Sequence, residues 1–216
     1  MDLFAFLSTF AVIFPAELPD KTMVATLVLA TRFRPLPVWI GVVGAFFVQC
    51  LVAVGAGGLL TLLPRRPLLG FTAALFATGS YLLLRGAARA TEEEAEEEEE
   101  YEKQVARRET EMADRGARGD VRVVAMSFIV LFAAEWGDLS QILTAGLVVR
   151  HGQPLSVFFG AWLALASVAA LAVMTGRTLL KRVPLDTVRR VAGVLFGILA
   201  VITATEAAGL NLPGPL

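Results

Sequence analysis

Residues 14–22 of the chain read FPAELPDKT, and residues 132–140 read FAAEWGDLS. Each stretch lies about midway along a hydrophobic segment and places an Asp three residues after a Glu: Glu17 with Asp20, and Glu135 with Asp138. A charged side chain at the centre of a bilayer costs at least about 2.5–3.5 kcal/mol on the insertion scale. Four carboxylates in such segments therefore indicate a functional site.

The composition around these motifs is that of a membrane protein. The chain has 216 residues, of which 56% are hydrophobic, whereas soluble chains average about 45–50% apolar residues. Apart from the acidic motifs, its charges lie mostly in short stretches between or at the ends of six apolar segments. A membrane span needs about 20 mostly apolar residues. The first and fourth segments are too long for a straight crossing at about 1.5 Å per residue, so we expect them to tilt, break or emerge from the bilayer. The segments cover residues 3–30, 37–63, 68–86, 121–149, 155–176 and 188–208.

The two halves of the chain resemble each other beyond the acidic motifs. Residues 62–68 parallel residues 179–185, and Leu75-Phe76 parallels Leu195-Phe196. Because each copy holds three spans, the second copy would lie upside down relative to the first, as in many secondary transporters. We therefore predict an all-α membrane protein with six transmembrane helices, arranged as two inverted-topology three-helix repeats. Its parts are a first repeat (1–86), a charged cytoplasmic linker (87–120) and a second repeat (121–216).

The distribution of Lys and Arg predicts the orientation. The loops after the first, third and fifth segments carry nearly all the basic residues, whereas the other side carries only Arg65, Arg66 and Arg150. The positive-inside rule places the basic loops in the cytoplasm. Both termini are then predicted to lie outside the cell (inner) membrane, with the linker inside. The acidic run from Glu92 to Glu100 in the linker is predicted to be a solvated helix or disordered, because like charges repel at this density.

Oxygen ligands cluster at the acidic motifs, and hard divalent cations prefer such ligands. On a helix, residues three apart share one face, so each motif would direct two carboxylates the same way. Pro19 cannot continue the hydrogen-bond ladder and Gly137 loosens it, so each helix is expected to open there and free backbone carbonyls. A carboxyl group buried away from water is most easily accommodated with a proton or a cation bound, and competition between the two is the minimum requirement for antiport. The candidate metal ligands are Glu17, Asp20, Glu135, Asp138, Thr22, Ser140 and Gln141.

The doubled motif resembles the signature of the calcium:proton antiporter-2 family, which includes Golgi calcium/manganese transporters and bacterial manganese exporters. Its members carry two Glu-x-Gly-Asp-(Lys/Arg)-(Ser/Thr) motifs in two three-helix halves joined by a charged loop. Residues 17–22 look like the first motif and residues 135–141 like the second, and the resemblance covers essentially the whole chain. It implies that the four acids bind a transported Mn²⁺ or Ca²⁺, supported by the hydroxyl and amide side chains of the motifs. Pro19 replaces the family's Gly and Leu139 replaces its Lys/Arg, and both departures bear on ion selectivity.

We predict a secondary transporter that exports a divalent cation, Mn²⁺ or Ca²⁺, from the cytoplasm in exchange for protons. The cation is a substrate and not a cofactor, the partners are protons and the lipid bilayer, and neither enzymatic activity nor nucleic-acid binding is expected. The oligomeric state is left open. Alternatives are an exporter of small organic cations or amino acids of the lysine-exporter type, a passive channel, and an intramembrane aspartyl protease. The protease would use Asp20 and Asp138 but would leave the two Glu residues without a role.

Overall fold

The computed structural model describes residues 1–18, 21–86, 99–108, 110, 119–175 and 185–209. Within these residues the chain is helical and contains no β-strand. Eight helices carry this part of the fold, and residues 99–108 of the linker form a further helical segment. The helices are α1 (Leu3–Glu17), α2 (Lys21–Arg32), α3 (Pro35–Leu60), α4 (Arg65–Gly86), α5 (Asp120–Ala134), α6 (Leu139–His151), α7 (Pro154–Thr175) and α8 (Leu185–Ala207).

Four of these helices, α3, α4, α7 and α8, are long and apolar enough to cross a membrane. A fifth candidate is the pair α1 and α2, which are bent by 68° relative to each other at a short break. The fourth predicted segment also breaks, into α5 with 15 residues and α6 with 13. The expectation that the first and fourth segments do not cross as straight helices is therefore confirmed. These helices fit a multi-pass membrane protein, while the count of six spans stays a prediction.

The two broken helices pack against the long helices of the opposite half of the sequence. α1 lies on α7 and α5 lies on α3, while α3 contacts α7 and α4 contacts α8. Glycines allow the first two contacts. A Cβ atom on Gly160 would lie 2.6 Å from the carbonyl oxygen of Phe6, and one on Gly41 would lie 2.8 Å from the Cβ of Ser127. Small residues bring membrane helices into close backbone contact in this way.

Contacts of α1 recur in α5 at matched positions. Two residues are called matched when they coincide in the alignment of residues 14–22 with residues 132–140. The rings of Phe10 and Phe14 stack with their centroids 5.4 Å apart, and those of Phe128 and Phe132 stack at 5.5 Å. The atoms that face Gly160 come from Phe6 and Thr9, and those that face Gly41 come from the matched Val124 and Ser127. The two halves thus use the same side-chain pattern for the same kind of helix contact.

The long helices contact each other through aromatic side chains. The indole N–H of Trp162 in α7 donates a hydrogen bond to the carbonyl oxygen of Val43 in α3 at 3.1 Å. A buried indole needs such a partner. The rings of Phe76 in α4 and Phe196 in α8 meet edge to face, 6.5 Å apart. Both Phe residues are fully buried, so they lie at the centre of the α4–α8 contact.

Polar contacts join the ends of α1, α6 and α8 at one end of the bundle. The guanidinium of Arg150 lies 3.7 Å from the carboxylate of Glu206, and the Arg150 side chain is only 5% exposed. The Nε2 of His151 is hydrogen-bonded to the hydroxyl of Ser8 at 3.2 Å. These contacts connect the end of α6 with α8 and α1.

The helical segment 99–108 of the linker docks onto the helices. Tyr101 and Val105, one helical turn apart, are buried and belong to the main hydrophobic core. Glu99 and Glu100 are exposed, as expected for a solvated acidic run, and residues 92–98 of that run lie outside the described residues. The linker is therefore anchored by two apolar side chains that the charge pattern did not point to.

Candidate functional site

The first acidic motif places a carboxylate and a hydroxyl in the interior, on either side of a helix break. Glu17 is the last residue of α1 and is 1% exposed. α2 begins at Lys21, and the next residue, Thr22, is fully buried. Pro19 and Asp20 lie outside the described residues, as does the side chain of Lys21. The predicted role of Asp20 therefore stays a prediction.

The second motif separates its two acids. Glu135 directly follows α5 as its C-cap and is 2% exposed. Asp138 is half-buried at the N-cap of α6, where its carboxylate accepts a hydrogen bond from the backbone N–H of Ser140 at 3.5 Å. The expectation that both acids share one helical face is wrong here, because the helix ends between them. A carboxylate at an N-cap is favoured by the unpaired N–H groups and the dipole of the helix that follows.

Gly137 makes this break possible. Its φ of +80° lies in the left-handed region, which a residue with a Cβ atom adopts only at a cost. Pro19 occupies the matched position in the first motif, and proline fixes φ near about −65°. The first motif therefore cannot copy the turn of the second, which gives the predicted asymmetry between the motifs a physical cause.

Gln141 holds the second break together. Its side-chain N–H donates to the carbonyl oxygen of Glu135 at 2.9 Å, and its side-chain oxygen accepts from the backbone N–H of Gly137 at 3.3 Å. Both ends of the amide are thus engaged with the backbone of the motif. This bracing role was not foreseen from the sequence, and the predicted role of Gln141 as a metal ligand stays a prediction.

The electrostatics of the two helix ends favour a cation. α1 and α5 both terminate at a buried Glu, and the carboxyl end of a helix carries roughly half a negative charge. A carboxylate and a helix C-terminus at the same place repel each other unless a proton or a cation compensates them. Broken helices in secondary transporters use such ends to coordinate their coupling ions.

The middle of α3 lies beside the helix that leads into the second motif. The side-chain N–H of Gln49 donates to the carbonyl oxygen of Phe132, three residues before Glu135, at 3.3 Å. The neighbouring thiol of Cys50 is buried as well. Sequence reasoning did not select Gln49, although a lone amide in a 26-residue apolar helix is a usable signal.

Buried polar side chains come in pairs at matched positions of the two halves. Every member of four such pairs is less than a tenth exposed, although apolar side chains surround them. The pairs are Thr9 with Ser127, Glu17 with Glu135, Thr22 with Ser140, and Thr26 with Thr144. Among the described residues, which leave out Asp20, no three His, Cys, Asp or Glu side chains lie close enough together to hold a metal ion. The structure therefore shows that both Glu residues are buried, and the predicted ligand set, which includes Asp20, stays a prediction.

The sequence profile described as "Divalent cation/proton antiporter GDT1" matches residues 5–91 and 123–210, and each stretch contains one acidic motif. The chain belongs to the GDT1 family. The resemblance inferred from the doubled motif is thereby confirmed. This GDT1-family protein is a transporter and not an enzyme, which excludes the alternative of an aspartyl protease. Its divalent cation is a transported substrate and not a cofactor.

Similar proteins span bacteria and plants. The chain is 34% identical to the GDT1-like protein sll0615 of Synechocystis over 207 residues, covering 93% of this chain and 97% of the relative. It is 30% identical to the GDT1-like protein 3 of Arabidopsis thaliana, covering 89% of this chain and 67% of the relative. It is also 30% identical to the chloroplastic protein PAM71 of Arabidopsis thaliana, covering 93% of this chain and 56% of the relative. No solved structure gives a significant match.

Proposed function

We propose that this GDT1-family protein exports Mn²⁺ or Ca²⁺ from the cytoplasm in exchange for protons, with Glu17 and Glu135 at the centre of the cation site. The observation that carries the proposal is the burial of both carboxylates, 1% and 2% exposed, at the ends of two helices. An ionised carboxylate in such surroundings costs several kcal/mol unless its charge is compensated. A divalent cation or a pair of protons can each compensate the two charges, so one site suits both partners of the exchange.

The remaining proposed ligands follow one or the other of these two acids within six residues in the sequence. Thr22 and Ser140 are buried at the starts of α2 and α6, where their hydroxyl oxygens suit a hard cation. Asp138 reaches the cation by giving up its weak, 3.5 Å hydrogen bond at the start of α6. Asp20 and Gln141 complete the proposed set of seven residues.

We infer a six-span fold of two inverted repeats around this site, covering residues 1–86 and 121–216, with the linker 87–120 between them. Its support is the matched packing of α1 on α7 and of α5 on α3, together with the two separate stretches that the family profile matches. In this arrangement the two motifs enter the bilayer from opposite sides. The basic loops favour a cytoplasmic linker and external termini in the cell membrane.

The test is uptake of radioactive Mn²⁺ or Ca²⁺ into inverted membrane vesicles with an imposed pH gradient. We expect uptake driven by the gradient in wild-type vesicles and its loss in the Glu17→Gln, Glu135→Gln double variant, which keeps the shape of both side chains. Glu99→Gln is the matched control, because Glu99 is an exposed acid of the linker. Retained exchange in the double variant would refute the assignment of the site.

Two further readouts separate the alternatives. Flux that ignores the pH gradient would favour a passive channel over an antiporter. Competition by arginine against labelled Mn²⁺ would favour an exporter of organic cations, whereas competition by unlabelled Mn²⁺ alone supports the proposed substrate class. Growth rescue of an export-deficient strain under Mn²⁺ or Ca²⁺ stress identifies which cation the cell relies on the protein to remove.

A further inference from the structure

Two threonines of α2, Thr22 and Thr26, lie one helical turn apart and are both fully buried (0% exposed). Neither hydroxyl oxygen has a hydrogen-bond partner in the part of the chain that the structure describes. A buried hydroxyl without a partner is costly, because it has lost its water and gained no hydrogen bond in exchange. Two of them on one face of one helix indicate a polar ligand that binds there during function.

Several threonines of the protein avoid this cost by bonding to a backbone carbonyl three or four residues earlier. Thr144, at the position matched to Thr26, donates to the carbonyl oxygen of Ser140 at 2.8 Å. Thr26 has the equivalent option in the carbonyl of Thr22 and does not use it. At this matched position the same side chain is thus satisfied in α6 and unsatisfied in α2. The same kind of bond is made by Thr31, which also lies in α2, and by Thr9, Thr78 and Thr205.

The two hydroxyls of α2 form a row that starts at the first acidic motif. Thr22 lies next to the break after Glu17, and Thr26 lies about 6 Å further along the helix, at about 1.5 Å per residue. Hydroxyl oxygens serve as ligands for hard divalent cations and bind the water that such cations carry. Two other buried hydroxyls, those of Ser127 and Thr203, also have no partner in the described residues, but they lie singly on α5 and α8 and form no such row.

We infer that Thr26 supplies a second, transient position for the transported divalent cation, one helical turn along α2 from the acidic site, with Thr22 shared between the two positions. The inference rests on the proposed antiport function. The cation exchanges a water ligand for a hydroxyl oxygen at Thr26 as it approaches or leaves the carboxylate of Glu17. Thr26 therefore acts on the affinity for the cation and carries no proton.

The test replaces the hydroxyl by a methyl group of nearly the same shape. Thr26→Val removes it, Thr26→Ser retains it, and Thr144→Val removes the matched hydroxyl that is bonded to its own helix. Uptake of radioactive Mn²⁺ into inverted vesicles is measured against cation concentration under a fixed pH gradient. We expect Thr26→Val to raise KM roughly tenfold, the scale of losing a residue that supports a metal site. Thr26→Ser and Thr144→Val should stay close to the wild-type KM.

A second measurement separates binding from folding. Because Thr26→Val removes an unsatisfied hydroxyl, its thermal unfolding midpoint in detergent should equal or exceed that of the wild type. A wild-type KM in Thr26→Val, an equal rise of KM in Thr144→Val, or a lowered midpoint in Thr26→Val would each overturn the inference while wild-type antiport stands. Absence of gradient-driven uptake in wild-type vesicles would instead overturn the proposed function.

Discussion

Replacing Gly41 by Ala tests the contact between α3 and α5 on which the position of Glu135 depends. The new Cβ atom would lie 2.8 Å from the Cβ of Ser127 and 3.1 Å from the backbone nitrogen of Phe128. The carbonyl oxygen of Val124 would lie closer still. Carbon atoms pack at about 3.5–4.0 Å, so the two helices would have to separate by at least about 0.7 Å. Backbone atoms cannot rotate away as the end of a flexible side chain can, so the overlap must be relieved by moving a whole helix.

Overpacking of this kind costs about 1–3 kcal/mol, and the higher helix propensity of Ala returns up to about 1 kcal/mol. We therefore expect Gly41→Ala to destabilise the protein by about 1–2 kcal/mol, which lowers the unfolding midpoint by roughly 2–8 °C for a chain of this size. The midpoint is measured on purified protein in detergent, by the loss of the monodisperse peak after heating. The same variant should transport less, because α5 carries Glu135 at its end.

Gly44→Ala is the control in the adjacent turn of α3. Its Cβ atom would meet only the ring of Phe128, at an ordinary 3.5 Å, so its midpoint should be unchanged or higher. If Gly41→Ala proves as stable as Gly44→Ala, then α3 and α5 do not approach at Gly41, and the packing described above is incorrect.

Three further predictions concern the second half of the chain. Gln141→Ala removes the amide that braces the helix break and should lower the unfolding midpoint even without cation, since each lost hydrogen bond is worth about 0.5–1.5 kcal/mol; an unchanged midpoint would leave Gln141 a ligand only. Glu206→Gln should destabilise by about 1–3 kcal/mol because Arg150 stays buried, and the double variant with Arg150→Gln should recover part of that loss in a thermal double-mutant cycle. Burial, and then the charge of Arg150, lower the pKa of His151 below its ordinary 6.5, so the folded protein binds this proton less readily than the unfolded chain. Stability should therefore be full above about pH 6.5 and fall as the pH drops through the lowered pKa, and His151→Gln should flatten this slope in thermal scans.

The helix breaks and the buried Glu residues could be predicted from the sequence because their causes are local. Pro19 and Gly137 stand within two residues of Glu17 and Glu135, and a charged group in an apolar segment is conspicuous. The prediction for the second motif was wrong in one respect. Placing Glu135 and Asp138 on one helical face requires a helix that continues from one to the other, whereas Gly137 turns the chain and Asp138 caps the next helix.

The features that could not be predicted depend on contacts between distant parts of the chain. Gln49 donates a hydrogen bond to a backbone carbonyl in α5, and no sequence pattern within α3 predicts this contact. The burial of Tyr101 and Val105 was not predicted, because charged residues surround them in the sequence. Their spacing of four residues is nevertheless typical of a helix with one apolar face. The unsatisfied hydroxyl of Thr26 required the comparison with Thr144, because only the structure distinguishes a threonine bonded to its own helix from one that is not.

The position of Cys50 gives the protein a native chemical reporter. It is the only cysteine in the sequence and is 2% exposed, in the middle of α3. The preceding residue, Gln49, donates a hydrogen bond to α5, the helix that ends at Glu135. A water-soluble thiol reagent can therefore reach Cys50 only when an aqueous path opens to the middle of α3. Adding a membrane-impermeant reagent to one side of sealed vesicles would report which side that path faces, with Cys50→Ser as the blank. Protection by Mn²⁺ or Ca²⁺ would report occupancy in the same labelling experiment, with the native cysteine as the only label site.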